Sequence, residues 1–556
     1  GQDYAGTSRL FTKMSAAGVW WSGRNHLGAE ALGIEGVRGT LSPQNILRSA
    51  HALFAAGANH LYLAGPEPRW EAATPPARQH LQRRTAGLGL FAAEALPALN
   101  QYLARCQYML RQGQAATDVW VYYPFLGFPP AWANEEEAQP AFGAEAPRMG
   151  VWPNLPRATD PRVAWLREVQ PLIAHLEERG LNWTWVNDEI LQQAAWNEGH
   201  WQSQGLSAQL VVLADLPHIE WETAHHLYEH FQAGAPILTY GNPANRQPGF
   251  MDYQKRDQEI AVWMQSLAPP DRPKTLEAFG DHLLTLAEER PLVYVEPMGA
   301  LLHHRSQWAD GSDLLFFANE QPRDRVLAVR PTETGRQTYW LDPWSGAILD
   351  LGKTESGQIL RPALPAYRAG FLLLSPRPLA TDAAPATLPI DGRPLSRLER
   401  VAVRTLNQWD LLVPARQGQS LFARRDTSLF DWRGEPALQY AGSEGRYSID
   451  FEMGEPQPGH RYLLDLGEVQ VLADLCVNTY AAGQSWVAPH RVDITPYLNA
   501  GLNTLEIWVQ PPPRNRWVGL ARQGEEAFEP YRQQSLLPAG LLGPVRVWEV
   551  READSP

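Results

Sequence analysis

Thiols are nearly absent from this sequence: Cys106 and Cys476 are the only cysteines among 556 residues. That argues against a disulfide framework and against a thiol-based metal site. No run of about 18 apolar residues occurs, so no membrane span is expected. Positive charge is in deficit, with 48 Lys and Arg against 61 Asp and Glu and a formal net charge of −13. The clustered basic footprint of a nucleic-acid binder is therefore missing, and anionic partners are disfavoured. No Gly-x-Gly-x-x-Gly or Gly-x-x-x-x-Gly-Lys-Ser/Thr follows a strand-like run, which disfavours a nucleotide site. No Gly-x-Ser-x-Gly elbow is present, which disfavours a serine hydrolase of the α/β type. The first residues, Gly1-Gln2-Asp3-Tyr4, show no basic-then-apolar export signal.

What is abundant is tryptophan, at 22 residues. Indoles serve core and inter-domain packing, and exposed indole faces also stack on sugar rings; composition does not choose between these uses. The length predicts roughly three to five domains.

The pattern changes several times along the chain. Residues 1–113 alternate helix and strand: a helix over 7–17, a strand over 20–31, a helix over 44–56, a strand over 60–63 and a helix over 96–111. Ser42-Pro43 gives a cap followed by a proline at the first helical position. Two or three strands are too few to close a barrel. The segment therefore reads as part of a (β/α)8 barrel enzyme whose first strands are missing. Residues 114–265 repeat the alternation, with near-continuous apolar strands at 118–123, 182–186, 209–213 and 236–240. Such strands suit a buried parallel sheet, so a doubly wound, flavodoxin-like α/β domain is expected. An excursion loop is expected over 129–156, a helical connector over 266–295, and an all-β domain over 296–378. A Pro/Ala-rich linker at 379–394 leads to a second all-β unit over 395–556, expected to be a β-sandwich or jelly roll.

Carboxylates at the carboxyl ends of barrel strands are where barrel chemistry sits. Glu30 follows the short run Gly28-Ala29, and Glu67 sits between Pro66 and Pro68 beyond the second strand. Glycoside cleavage needs two carboxylates, one to protonate the leaving oxygen and one to act as base or nucleophile. Flanking prolines restrict the backbone at Glu67. Each position also reads as an ordinary surface or turn glutamate. His26 stands close to Glu30, and Trp70 lies in a loop over 66–76 of the kind that carries function. The helix containing His225, His226 and His230 does not match His-Glu-x-x-His and lacks an obvious third ligand, so an exposed helix face is expected there. For His303-His304, hydrogen-bonded packing is the expected role.

These residues resemble a family. Gly28-Ala29-Glu30-Ala31, Gly57-Ala58-Asn59-His60 and the run Tyr102 to Tyr108 resemble the later barrel strands of glycoside hydrolase family 106, the α-L-rhamnosidases. So do His304-Arg305, Phe317-Ala318-Asn319 and the stretch Trp340 to Gly346. Leu464-Asp465-Leu466-Gly467-Glu468, Val477-Asn478, Asn515-Arg516 and Gly540-Leu541-Leu542-Gly543-Pro544 are similar to the galactose-binding-like jelly roll of that family and of family 2 relatives. The resemblance implies an inverting hydrolase of terminal L-rhamnose, with a calcium ion near the sugar and an exported or periplasmic setting. It implies that Glu30 is the catalytic base and that the general acid lies upstream, outside this chain. His26, Asn59, Glu67 and Trp70 are then expected to bind substrate. Ala64-Gly65 departs from the family, which has a histidine at that place. The alternative is an inactive relative that binds carbohydrate or serves as a scaffold.

Overall fold

The computed structural model describes residues 3–31, 43–63, 96–124, 161–267, 290–296, 301–379, 398–415, 421–470 and 472–552, together with 276 and 299. The excursion loop, the 379–394 linker apart from its first residue, and most of the 266–295 connector fall outside them.

Helix α1 (Asp3–Trp21) is longer than the sequence suggested, and the strand expected from residue 20 starts only at Gly28. The reason lies in its buried positions. Leu10, Lys13, Ala16, Ala17, Trp20 and Trp21 recur at three- and four-residue steps, the spacing of one helical face. That periodicity outweighs the strand preference of the two tryptophans.

Strands β1 (Gly28–Ala31) and β2 (His60–Leu63) then pair in parallel. Between them runs α2 (Pro43–Ala55), and after them comes α3 (Leu96–Leu110). These elements share a core with a neighbouring sheet. Ile46, Leu47, Ala50 and Phe54 of α2, Leu61 of β2, and Leu99, Tyr102, Leu103 and Cys106 of α3 pack with Leu314, Phe316, Tyr339 and Phe371.

After β3 (Gln114–Ala115), four parallel strands form one sheet: β4 (Val119–Tyr122), β5 (Trp183–Val186), β6 (Leu210–Ala214) and β7 (Ile237–Tyr240). Their spatial order is β7-β6-β4-β5, so the second strand lies outside the first, as in a doubly wound flavodoxin-like sheet. Every residue of β4, β5 and β6 is buried, which explains their unbroken apolar runs. Helices Pro161–Glu178 and Trp221–Gln232 lie between these strands in sequence. Helix α1 joins this core rather than the β1–β2 pair: Leu10, Ala16, Ala17, Trp20 and Trp21 cluster with Val119, Trp120, Trp183 and Trp185.

The next sheet is antiparallel, with six strands in the order Ile348–Lys353, Gln337–Leu341, Ala369–Ser375, Asp313–Asn319, Leu301–Gln307 and β3. Both of its faces are covered. Leu314, Phe316 and Ala318 face the α2–α3 core, while Leu315 and Phe317 pack in a second cluster with Leu327, Val329 and Trp340.

The carboxyl-terminal unit is a β-sandwich. A four-stranded sheet contains Leu398–Leu406, Val545–Glu552, His460–Asp465 and Arg491–Asp493. A six-stranded sheet is built around Gly445–Met453 and Gly501–Gln510. Leu464 and Val547 of the first meet Tyr447, Leu505 and Ile507 of the second in one core. Trp486 of this unit stacks at 4.7 Å on Trp344, in the turn between Gln337–Leu341 and Ile348–Lys353 of the preceding sheet, with the Arg368 guanidinium over the Trp344 ring. Arg491 bonds Asp324 at 2.7 Å, a second tie across the same joint.

Candidate active site

The β1–β2 pair has two unlike faces. Leu61 and Ala29 turn toward the helices and contribute to the α2–α3 core. By strand alternation, positions 28, 30, 60 and 62 share the other face. In register, Gly28 lies opposite His60 and Glu30 opposite Tyr62. A carboxylate position thus sits near the carboxyl end of a parallel strand whose rear face is sealed by helices, as a barrel places its reactive groups. The side chain of Glu30 lies outside the described part of the structure.

The edge of β2 is closed by a side chain. Gln107 of α3 accepts the Leu61 N–H at 2.7 Å and donates its own amide to the Leu103 carbonyl at 3.0 Å. Deeper in, His51 Nε2 meets the Tyr102 hydroxyl at 2.8 Å, and that hydroxyl accepts the Ala369 N–H at 3.0 Å. Arg48 bonds Glu320 at 2.9 Å. These contacts tie both helices to the six-stranded sheet. Burial pushes the Cys106 thiol well above its ordinary value, so it is inert packing.

The expected substrate residues fall into three groups. His26 is exposed, with Nε2 3.0 Å from Nδ1 of His60, at the entry to the strand pair. Asn59 is buried and committed to the backbone: Oδ1 accepts the Leu27 N–H at 3.0 Å, and Nδ2 donates to the Asn25 carbonyl at 2.6 Å. It therefore positions the approach to β1, and its amide is not turned outward toward a ligand. Glu67 and Trp70 lie outside the described residues.

The other histidines behave as packing groups. His226 Nε2 donates to the Ala194 carbonyl at 2.8 Å, and His225 stacks flat on Trp221. His303 Nε2 donates to the Glu177 carbonyl at 3.1 Å. His304 is buried beside Trp20, and desolvation lowers its pKa to about 3, which keeps it neutral. Trp20, Asn25, Asn59 and His304 line a cavity of ≈ 10 Å³, room for one water and too small for a sugar.

The sequence reading missed His60 and Tyr62. His60 stacks on Tyr62 with ring centroids 4.4 Å apart, and Tyr62 is 54% exposed. The available signal was their two-residue spacing on a strand, which puts both on one face. A second polar centre, also missed, closes the carboxyl side of the doubly wound sheet. Tyr122 and Thr223 both donate to Asp188 Oδ1 at 2.7 Å, and burial raises the Asp188 pKa. Both of its donors come from the protein, which marks it as a structural network.

With this geometry established, comparison with known proteins adds one strong likeness. The fold resembles that of a rhamnosidase. The solved structure of a rhamnosidase from Novosphingobium sp. PP1Y matches 97% of this chain with a TM-score of 0.63 and 18% identity. The match takes in 49% of that protein, so this chain spans about half its length. A protein of Formosa agariphila, provisionally named a beta-glucuronidase, is 26% identical over 20% of this chain and 12% of its own length. No family model matches the sequence.

Proposed function

We propose that this chain is the carboxyl-terminal part of a glycoside hydrolase, and that the whole protein is an inverting α-L-rhamnosidase. The observation that carries the reading is the register of Glu30 against Tyr62 at the end of a parallel pair, with one face packed on helices. The fold likeness over 97% of the chain supports it, as does the resemblance of the sequence to family 106.

In this reading Glu30 takes a proton from a water as that water attacks the anomeric carbon. An inverting pair leaves room for the water by holding its carboxyls about 6.5–9.5 Å apart. The partner acid must keep its proton near neutral pH, which requires a raised pKa; it lies on a strand outside this chain. His26 and Asn59 hold the approach to β1 in place through the contacts above. Among the described residues no group of three or more His, Cys, Asp or Glu side chains converges. No step is derived through the calcium ion that the resemblance implies.

The test is hydrolysis of an aryl α-L-rhamnoside by the full-length protein and by this chain alone, with and without a chelator. The full-length protein is expected to turn over with inversion, and the 556-residue chain to show little or no activity. Full turnover by this chain alone contradicts the proposal. Sugar binding without turnover by the full-length protein supports a binding or scaffold role instead.

A further inference from the structure

We infer that Tyr62 is a sugar-stacking residue, held in place by His60 and His26, and that it receives the apolar face of a pyranose beside position 30. This rests on the glycosidase reading of the same site and names a residue that the reading does not otherwise supply.

The argument starts from exposure. Tyr62 is a large aromatic that is 54% exposed, while its neighbour Leu61 is buried in the α2–α3 core. An exposed ring is ordinary when it is free to move. This one is held from two sides. One face of it stacks on the His60 ring at 4.4 Å and 20°. His60 is in turn fixed by its ring nitrogen 3.0 Å from His26 Nε2. Against the edge of the ring lies Gly28, where an added Cβ would fall 2.8 Å from Tyr62 Cε2. The tyrosine therefore occupies space that any larger residue at 28 would take. Two features thus converge to hold the ring in a single orientation: the His60–His26 pair on one face and the glycine at its edge.

Position matters as much as rigidity. Tyr62 is the register partner of Glu30. Neighbouring strands lie about 4.7–4.9 Å apart, so positions 30 and 62 are immediate neighbours. A pyranose resting its C–H face on the ring would present its ring carbons next to the carboxylate position. An aromatic ring offers such a face at little conformational cost when it is already oriented. His60 and His26 are positioning residues here, acting on substrate through Tyr62.

The experiment is titration calorimetry of the full-length protein with the methyl glycosides of L-rhamnose, D-galactose and D-glucuronic acid, alongside kcat and KM on the matching aryl glycosides. For whichever glycoside binds, Tyr62→Ala is expected to weaken Kd about tenfold, the scale of one aromatic contact. Tyr62→Phe is expected to bind as the parent does. Tyr62→Leu keeps apolar bulk without a ring and should resemble Tyr62→Ala, which separates stacking from mere packing. His60→Ala is expected to fall between, with the loss in KM and little change in kcat. Unchanged affinity in Tyr62→Ala, parent-like affinity in Tyr62→Leu, or no binding of any of the three glycosides overturns the inference. If binding depends on Tyr62 but nothing is hydrolysed, the hydrolase reading fails and this one stands. If turnover is normal and Tyr62→Ala binds as the parent does, the reverse holds.

Discussion

The doubly wound sheet and the β1–β2 pair are both parallel, and both are flanked by helices, yet they are stabilised in opposite ways. In the first, four strands bury every residue of β4, β5 and β6 inside a core of their own, which recruits α1 as well. In the second, two four-residue strands bury one face, and the apolar partners of that face come from α2, α3 and a separate antiparallel sheet. Parallel strands are normally covered on both sides. Among the described residues this pair leaves Tyr62 half exposed, so its stability comes from one covered face and not from two.

Substitutions can break or sharpen that contrast. The largest effect is expected at the presenting face. Glu30→Gln in the full-length protein should lower kcat on an aryl rhamnoside by about 10²–10⁴-fold, the usual worth of a general base, while the melting temperature stays put. Equal turnover would remove Glu30 from the chemistry. In the self-supporting sheet the opposite signature is expected. Trp120 is fully buried, and Trp120→Ala should cost about 3–5 kcal/mol in denaturant unfolding. A similar cost is expected where the two β systems meet. Asp118, 4% exposed, bonds Arg305 at 3.0 Å and accepts the Asn182 N–H at 2.7 Å, so Asp118→Ala strands a buried guanidinium at a cost of about 3–5 kcal/mol.

The smallest effect is a pH dependence. Desolvation lowers the His490 pKa to about 3, and its Nδ1 lies 2.9 Å from Ser485 Oγ. The unfolded chain takes up a proton near the ordinary histidine value of about 6.5, and the folded chain only near 3. Between those values the unfolded state holds more protons, so this contribution is complete above about pH 6.5 and is lost as pH falls toward 3. His490→Asn should flatten the acid limb of a stability-against-pH curve measured by circular dichroism, and an unchanged limb would assign the acid sensitivity elsewhere.

Much of this was legible in the sequence, for a physical reason. The strands of the doubly wound sheet are unbroken apolar runs because both of their faces are buried, and they were found to within a residue. Helix α2 was found from the Ser42-Pro43 cap and β2 from its apolar run, while only the carboxyl end of β1 was placed correctly. What escaped was set by tertiary contacts. The end of α1 was misread because Trp20 and Trp21 favour strands locally, whereas their partners are distant in sequence: His304 for Trp20, and Trp120 and Trp185 for Trp21. The short hairpin strands Ala195–Asn197, His200–Ser203 and Leu206–Ala208 have too few residues to show a period. At the candidate site the carboxylate position was visible as a residue type at a strand end. The His60–Tyr62 stack was missed although its two-residue spacing marked one face; its place opposite Glu30 depends on which residue of β2 faces which residue of β1.

The amide of Gln107 has a consequence for how this protein is put together. It occupies the backbone donor that another strand would need on the outer side of β2. A strand joining on that flank, from this chain or another, would therefore have to evict a glutamine at Leu61.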